Sequence, residues 1–473
     1  MSFEFTDPLC ACNEEVYTFL QDVFDEVMDI FPSPYIHLGG DEAKKTPWER
    51  SPACQSFMKA HNLEDVGQLQ SYFITRVGGY IQSKGRQVIG WDEILEGGMG
   101  SQALIMCWRG DERTHEAINN GNRTIVANSH QLYLDHRQDP GTGRANYQSG
   151  INTLEDVYTY NPIPEGLSTT QQALVLGSQV CLWTEYVYTE ADAEVRLLPR
   201  LLAQAEVSWS QERDSFPAFE NRAWSQLGQL EKQGYRYFVA PPRGPRMVSL
   251  WAEPVSVVLS HPRTDMVLRY TLDGSTPTAA SLLYEKPLKL EQEALIKAVA
   301  FASPDNQSEV IEVRVTPPLQ ASSTSEKDLV PGLRMTLYHG QINRLRDFGQ
   351  MKALRTETVP SVALPAQRPN DNFGLIFEGY LKLDEAGDYT WVLSSDDGSQ
   401  LWLADELVVD HDGRHGMGPL SAQRGAQAGL LPIRIMYFES AFSEGLELQL
   451  VDAAGKELNL GGRFFSAPAV AKP

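Results

Sequence analysis

The first 238 residues alternate between helical and strand patterns of apolar positions. From Asn13 to Phe31, apolar residues recur three and four positions apart, which predicts one amphipathic helix. Asn13 suits the N-cap, and Pro32 ends the helix because proline cannot donate a backbone hydrogen bond. The same period predicts a helix over Asp65–Gln82. One further, longer helix is predicted from the apolar residues Leu197, Leu198, Leu201, Leu202 and Val207.

Five short apolar segments lie between these helical patterns. They are Tyr35–Leu38, Gln87–Gly90, Ala103–Cys107, Thr124–Ala127 and Leu174–Val180. Short apolar strands that alternate with helices are typical of a parallel sheet covered by helices. The sequence therefore predicts a β/α domain over residues 1–238.

Two proline-rich segments, residues 239–246 and 316–331, indicate linkers. Between them, residues 247–315 alternate Val, Thr and Tyr with polar residues, which predicts a small antiparallel β-sandwich. Residues 332–470 have strand patterns separated by Asp-Gly turns. We therefore predict a multidomain chain in which two all-β sandwich modules follow the β/α domain.

The net charge of the chain limits the classes of molecule that can bind it. Against 40 Lys and Arg stand 62 Asp and Glu, a formal net charge of −22. Phosphates of nucleic acids and anionic lipid surfaces would repel such a chain, whereas neutral sugars would not. No apolar run is long enough to predict a transmembrane segment. The five cysteines are odd in number and show no paired metal-ligand spacing, so we predict neither a disulfide framework nor a metal centre.

Chemically active residues recur where the predicted strands end, which is where parallel barrels place their active sites. Gly39-Gly40-Asp41-Glu42 follows the first strand. The residues after the later strands are Trp91, Trp108, Tyr133, Asp135, Trp183 and Glu185. Indoles stack on sugar C–H faces and carboxylates accept hydrogen bonds from sugar hydroxyls, so this set predicts a carbohydrate pocket.

Each of these residues also has a structural interpretation. Trp91 and Trp108 could pack in a core, and Tyr133 could be a hydrogen-bonded loop residue; their place at strand ends favours the pocket. For Glu93 we expect helix capping. For His37, which lies within a strand, we expect packing and hydrogen bonding rather than catalysis.

The ordered motifs, beginning with His37-Leu-Gly-Gly-Asp-Glu42, resemble family-20 glycoside hydrolases over residues 5–238. The resemblance implies an exo-β-N-acetylhexosaminidase that removes terminal N-acetylglucosamine or N-acetylgalactosamine with retention of configuration and without a cofactor. It implies that Glu42 is the general acid, that Asp41 holds the acetamido N–H, and that Tyr133 bonds the acetamido carbonyl. That carbonyl is the nucleophile and forms an oxazoline. The implied sugar-binding residues are Trp91, Trp108, Trp183, Asp135 and Glu185.

The resemblance also implies parts that this sequence does not supply. The acid pair follows the first strand seen here but the fourth of eight in the family, so the predicted fold is an incomplete (β/α)8 barrel with about five strands. An Arg and a His of the family pocket have no counterpart here. We therefore expect the isolated chain to be weakly active or inactive. Because members of the family are commonly exported, we expect a periplasmic or extracellular location. We also expect burial against tryptophan and the charge of Asp41 to raise the pKa of Glu42, which would keep it protonated near neutral pH.

The two β modules resemble known accessory domains. The stretch Arg269–Pro277 resembles the C-terminal domain of bacterial hexosaminidases, and residues 332–470 resemble a PA14 domain. In sugar-binding PA14 members a pair like Asp396-Asp397 coordinates Ca²⁺, but Asp-Gly pairs also form ordinary turns. The alternative function is therefore a non-catalytic glycan-binding protein that uses its PA14 module. The intact Asp41-Glu42 pair favours the enzyme.

Overall fold

The computed structural model describes residues 8–97, 103–140, 142, 148–210, 212–251, 253–440 and 443–468. The chain forms two compact units, Met1–Ala240 and Pro241–Pro473. The boundaries of the three predicted modules stay predictions. Among the described residues, no helix combines the length and apolar character needed to cross a membrane.

The first unit is built on a parallel sheet of five strands in sequential order. The strands are β1 (Tyr35–His37), β2 (Gln87–Trp91), β3 (Leu104–Cys107), β4 (Thr124–Val126) and β5 (Val175–Ser178). Each pairs with the next in parallel, which confirms the predicted sheet. Every side chain of β3 is buried, as the apolar run predicts for a strand covered on both faces. A separate parallel pair joins His136–Arg137 to Gln148–Ile151.

Helices of the first unit lie before, between and after these strands. They span Glu14–Ile30, Thr46–Arg50, Pro52–Ala60, Val66–Ser83, Asp111–Asn119, Ser129–Leu132, Leu154–Thr159, Thr169–Gln172, Glu190–Leu197, Arg200–Trp209 and Phe216–Lys232, with a 3₁₀ segment over Asp92–Gly97. The N-cap predicted at Asn13 is confirmed, and Asp65 caps the helix Val66–Ser83. The Asn13 side chain accepts from the backbone N–H of Glu15 at 3.0 Å, and Asp65 accepts from that of Gln68 at 2.8 Å.

The single long helix predicted around Leu197–Val207 is wrong. The chain forms two helices there, because Pro199 has no N–H to donate and its ring excludes the preceding turn. The second helix begins at Arg200, which is fully buried. Its guanidinium donates to the carbonyl oxygens of Asn152 at 2.8 Å and Leu134 at 2.5 Å. Because the helix breaks at Pro199, the Arg200 side chain contacts the segment that follows β4.

The second unit begins with a sheet in the strand order Leu282–Leu283, Val267–Thr271, Ala294–Ser303, Ile311–Thr316 and Met247–Ser249. Asn306–Gln307 extends it, and Leu288–Leu290 pairs separately with Val255–Val257. The expectation of a wholly antiparallel module is wrong for one pair, because Met247–Ser249 runs parallel to Ile311–Thr316. These two strands are joined through the whole module rather than by a hairpin, so no short turn fixes their direction.

The rest of the second unit is a β-sandwich. Its larger sheet contains Val330–Pro331, Leu333–His339, Ala353–Val359, Phe373–Leu383, Ser399–Leu403, Glu406–His411, Gly429–Glu439 and Phe464–Ser466. The smaller one contains Gly387–Asp396, Gly418–Ala426 and Gly445–Asp452. Alternate side chains of both sheets meet in one core that includes the fully buried Trp391 and Tyr437. The predicted all-β architecture is confirmed.

Candidate active site

A cavity of about 960 Å³ opens where the five parallel strands end. All eight residues predicted from the sequence line it: Asp41, Glu42, Trp91, Trp108, Tyr133, Asp135, Trp183 and Glu185. They come from the ends of the five strands or from the segments that directly follow them. The sheet therefore brings together residues up to 144 positions apart in sequence, as its parallel topology predicts.

The acid pair lies on a tight turn of unusual backbone conformation. Gly39, Gly40 and Glu42 have φ angles of 71°, 96° and 44°. A Cβ atom at Gly40 would lie 2.4 Å from Cγ2 of Ile94, so only glycine fits. Neighbouring side chains on an extended strand point to opposite sides, whereas this turn allows both Asp41 and Glu42 to line the same cavity.

The expected burial of Glu42 is wrong. Its side chain is exposed, as is that of Asp41. Both carboxylates lie on the left-handed turn that follows the strand, where they line the cavity and are exposed to solvent. The acid pair is thus accessible to a ligand that enters the cavity.

Four aromatic rings form the wall of the cavity. The Trp108 and Tyr133 rings are stacked, with 6.2 Å between their centroids and 15° between their planes. Trp183 lies 5.9 Å from Tyr133 and 6.1 Å from Trp91. Trp91 is 9% exposed and Trp183 is 40% exposed, so the wall runs from the core to the surface. Burial raises the pKa of Tyr133, which keeps its phenol protonated and able to donate a hydrogen bond.

Trp108 is held in place by carboxylates behind the cavity. Its indole N–H donates to both carboxylate oxygens of Glu93 at 3.1 Å, and its backbone N–H donates to Asp92 at 2.8 Å. The Arg109 guanidinium also hydrogen-bonds to Asp92. The expectation that Glu93 caps a helix is wrong: it is buried within the 3₁₀ segment, where the tight turn directs it at the indole. Burial raises the pKa of the Glu93 carboxyl.

Asp135 presents a buried acceptor to the cavity. The residue is 3% exposed, and its Oδ1 accepts from the backbone N–H of Trp183 at 3.5 Å. Within the described part of the chain, its Oδ2 has no hydrogen-bond partner. Burial raises the pKa of this carboxyl. A buried carboxylate oxygen without a donor is costly, so this atom fits a ligand hydroxyl. Glu185 lies on the exposed rim of the same cavity.

Seven lining residues were not predicted from the sequence: Ser129, His130, Gln131, His136, Gly150, Ile151 and Asp156. Four of them flank Tyr133 and Asp135 in the segment after β4. Their closeness in sequence to these two predicted residues is the feature from which they could have been predicted. Burial, and then the charge of Arg200, lower the pKa of His136 to about 4, so its imidazole is neutral at neutral pH. His37 has the hydrogen bond expected of it, since its Nδ1 accepts from the Gly39 N–H at 3.0 Å.

A second group of carboxylates lies in the β-sandwich. All four carboxylate oxygens of Asp396 and Asp397 accept backbone N–H groups, at distances from 2.8 to 3.2 Å. Nearby Glu439 is fully buried, and its Oε2 accepts from the Tyr437 hydroxyl at 3.3 Å. Burial, and then the charge of Asp397, raise the pKa of Glu439 from its ordinary 4.5 to about 7.

This raised pKa predicts a stability that depends on pH. Between pH 4.5 and 7 the folded protein binds a proton at Glu439 that the unfolded chain releases, so stability falls as pH rises through this window. Glu439→Gln mimics the protonated group. Relative to wild type, we expect it to gain up to about 3 kcal/mol in free energy of unfolding between pH 4.5 and 8.

Urea denaturation at several pH values, followed by Trp fluorescence, measures this difference. Glu447→Gln, a change of the same chemistry at an exposed position of the sandwich, is the control and should show no such gain. An equal pH dependence in wild type and Glu439→Gln would rule out Glu439 as the source.

Comparisons with known proteins agree with the three-part organisation. Residues 2–212 match the model of the glycosyl hydrolase family 20 catalytic domain. Residues 250–312 match the chitobiase/beta-hexosaminidase C-terminal domain, and residues 330–457 match the PA14 domain. The model of the family 20 catalytic domain thus matches the residues that carry the predicted motifs, and matches to the two predicted accessory modules follow in the predicted order.

The chain is also similar to individual proteins. A beta-hexosaminidase of Porphyromonas gingivalis is 31% identical over 445 residues, which are 91% of this chain and 57% of that protein. A beta-hexosaminidase of Vibrio furnissii is 31% identical over 198 residues, 40% of this chain and 31% of that protein. A solved beta-N-acetylhexosaminidase from Bacteroides fragilis has 32% identity and a TM-score of 0.44, covering 48% of this chain and 47% of that one. The chain thus spans 57% of the first of these relatives.

Proposed function

We propose that the protein is an exo-β-N-acetylhexosaminidase that hydrolyses terminal N-acetylglucosamine or N-acetylgalactosamine by a retaining, substrate-assisted mechanism. The observation that carries this proposal is that Asp41, Glu42 and Tyr133 line one cavity with three tryptophans. A pocket of indoles, a phenol and carboxylates suits a sugar with an acetamido group. No cofactor enters the proposed reaction.

In the proposed first step, Glu42 donates its proton to the glycosidic oxygen while the acetamido carbonyl oxygen of the substrate attacks the anomeric carbon. The bond to the leaving group breaks and a cyclic oxazolinium forms. The Asp41 carboxylate accepts the acetamido N–H and stabilises the positive charge. The Tyr133 hydroxyl donates to the acetamido oxygen and orients it. Water, deprotonated by Glu42, then opens the ring, and two inversions give net retention.

The sugar ring is proposed to lie against the indoles of Trp91, Trp108 and Trp183. Its hydroxyls would donate to Oδ2 of Asp135 and to Glu185. The unpartnered, buried state of that Asp135 oxygen supports this assignment. The hydrogen bonds from Trp108 to Glu93 support a fixed wall, because they set the plane of the indole.

The proposal is tested with two chromogenic substrates that differ only at the second carbon of the sugar. We expect the aryl N-acetyl-β-glucosaminide to be hydrolysed at least about 1,000-fold faster than the aryl β-glucoside, since the latter lacks the internal nucleophile. A thiazoline analogue of the oxazoline should inhibit competitively. Comparable rates on both substrates would point instead to an enzyme carboxylate as nucleophile. Binding of the thiazoline without any hydrolysis would agree both with the weak activity expected of the isolated chain and with a non-catalytic role.

Asp135→Asn is expected to raise KM for the N-acetylated substrate by about 10- to 100-fold, because a charged hydrogen bond to a sugar hydroxyl is weakened. Substrates that each lack one ring hydroxyl provide the control. With the analogue that lacks the hydroxyl bound by Asp135, wild type and variant should have equal KM values. If the variant raises KM by the same factor for every deoxy analogue, Asp135 affects binding only by stabilising the fold.

Calcium binding at Asp396 and Asp397 stays a prediction, as do glycan binding by the PA14 module and a periplasmic or extracellular location. The hydrogen bonds from four backbone N–H groups support the turn interpretation of this acid pair, because each carboxylate oxygen already accepts one of them. Calorimetric titration of the chain with Ca²⁺, with Mg²⁺ as control, distinguishes the two interpretations.

A further inference from the structure

Three of the five cysteines lie together, away from the candidate active site. The Sγ atom of Cys12 is 3.2 Å from that of Cys10 and 3.0 Å from that of Cys54, and all three lie within 4.8 Å of one another. Cys10 and Cys12 precede the helix Glu14–Ile30, and Cys54 lies 42 residues beyond Cys12. Cys54 is 1% exposed, while the other two are half-buried. Sequence spacing did not reveal this cluster.

Contacts that do not involve sulfur hold the cysteines at this place. The Trp48 indole donates to the carbonyl oxygen of Leu9 at 3.1 Å, and the Tyr17 hydroxyl donates to that of Ala11 at 2.6 Å. On the other side, the Ser51 hydroxyl accepts from the backbone N–H of Cys54 at 3.4 Å. Both backbone segments are thus fixed from outside the cluster, so the thiols form a preorganised group.

The geometry suits a thiolate-bound metal ion better than a disulfide. A disulfide has an S–S distance of about 2.05 Å and would join only two of the three sulfurs. Three thiolates around one Zn²⁺, each at about 2.3 Å, would be about 3.7 Å apart, which these sulfurs reach by shifts of less than about 1 Å. Cys54 is the third residue of the nine-residue helix Pro52–Ala60.

We propose that Cys10, Cys12 and Cys54 bind one thiophilic metal ion of the Zn²⁺ class. Among the described residues no fourth His, Cys, Asp or Glu belongs to the cluster, which leaves the fourth position to water or a small ligand. The ion would join the turn before the first helix to the helix Pro52–Ala60. The chain between these two points contains β1 and the Asp41-Glu42 turn, so the metal would fix both ends of the segment that bears the acid pair.

The test uses the whole chain, reduced and stripped with a chelator, and Co²⁺ as the spectroscopic probe. We expect one equivalent of Co²⁺ to produce a thiolate-to-metal charge-transfer band, and Zn²⁺ to displace it. Zn²⁺ should also protect three thiols per chain from a thiol reagent and raise Tm. Cys12→Ala should weaken metal binding by at least about 100-fold. Cys107→Ala, which removes a buried thiol of β3, should leave the band unchanged.

Several results would overturn the metal site. One is the absence of the charge-transfer band in the reduced chain; another is full affinity in Cys12→Ala. Mass mapping of the unreduced protein that finds Cys12 linked to Cys54 or Cys10, with no metal uptake after reduction, would establish a disulfide instead. If Cys12→Ala does not fold, the unmutated chain decides the question: one bound metal ion and three protected thiols per chain support the site, and other numbers contradict it.

Discussion

Asp41→Asn is expected to lower kcat for an aryl N-acetyl-β-glucosaminide by about 100- to 1,000-fold, because the variant loses the charge that stabilises the oxazolinium. Asparagine has the same shape but no negative charge, and its amide can present N–H where the substrate already has one. The loss should fall mainly on kcat, since the positive charge develops only as the ring closes.

Steady-state kinetics with the N-acetylated substrate measures this effect. Asp22→Asn makes the same chemical change at an exposed position of the helix Glu14–Ile30 and should leave kcat unaltered. Circular dichroism of both variants checks that the fold is kept. Turnover of Asp41→Asn within a few-fold of wild type would refute substrate assistance at this residue.

Glu42→Gln is expected to lower kcat by about 100- to 10,000-fold on substrates with poor leaving groups, because glutamine cannot protonate the glycosidic oxygen. On a dinitrophenyl glycoside, which leaves without a proton, the first step should be nearly unaffected. The variant should therefore show a much steeper dependence of rate on leaving-group pKa than wild type.

A series of aryl glycosides with different leaving-group pKa values measures this slope. Asp41→Asn serves as the comparison, because its defect concerns the acetamido group and should be similar for every leaving group. A defect of Glu42→Gln that is equally large on good and poor leaving groups would assign Glu42 to another role. The two variants are thus distinguished by whether the loss of rate depends on the leaving group: it does for Glu42→Gln and does not for Asp41→Asn.

The sequence predicted the parallel sheet and the lining of the cavity because both depend on local patterns and on a general rule of topology. Short apolar runs predict strands, and residues that directly follow parallel strands meet at one edge. Asp41 and Glu185 could therefore be assigned to one pocket although they are far apart in the chain. The break at Pro199 is also visible in the sequence, because a proline interrupts the helical spacing of the apolar residues around it.

Other features depend on tertiary packing and could not be predicted in this way. The exposure of Glu42 follows from a left-handed backbone that the glycines permit but do not require. The burial of the Glu93 side chain depends on the Trp108 indole, which follows the neighbouring strand and donates a hydrogen bond to it. Cys54 meets Cys12 only because the helix Pro52–Ala60 packs beside the turn before the first helix.

The buried guanidinium of Arg200 has a consequence for the entropy of ligand binding. It ties the carbonyl oxygens of Leu134 and Asn152 to one helix, so the backbone beside Asp135 is already ordered before any sugar arrives. Glu42, which lines the same cavity, lies on an exposed turn. The backbone beside Asp135 therefore loses little freedom when a sugar binds, whereas the exposed Glu42 side chain has more freedom to lose.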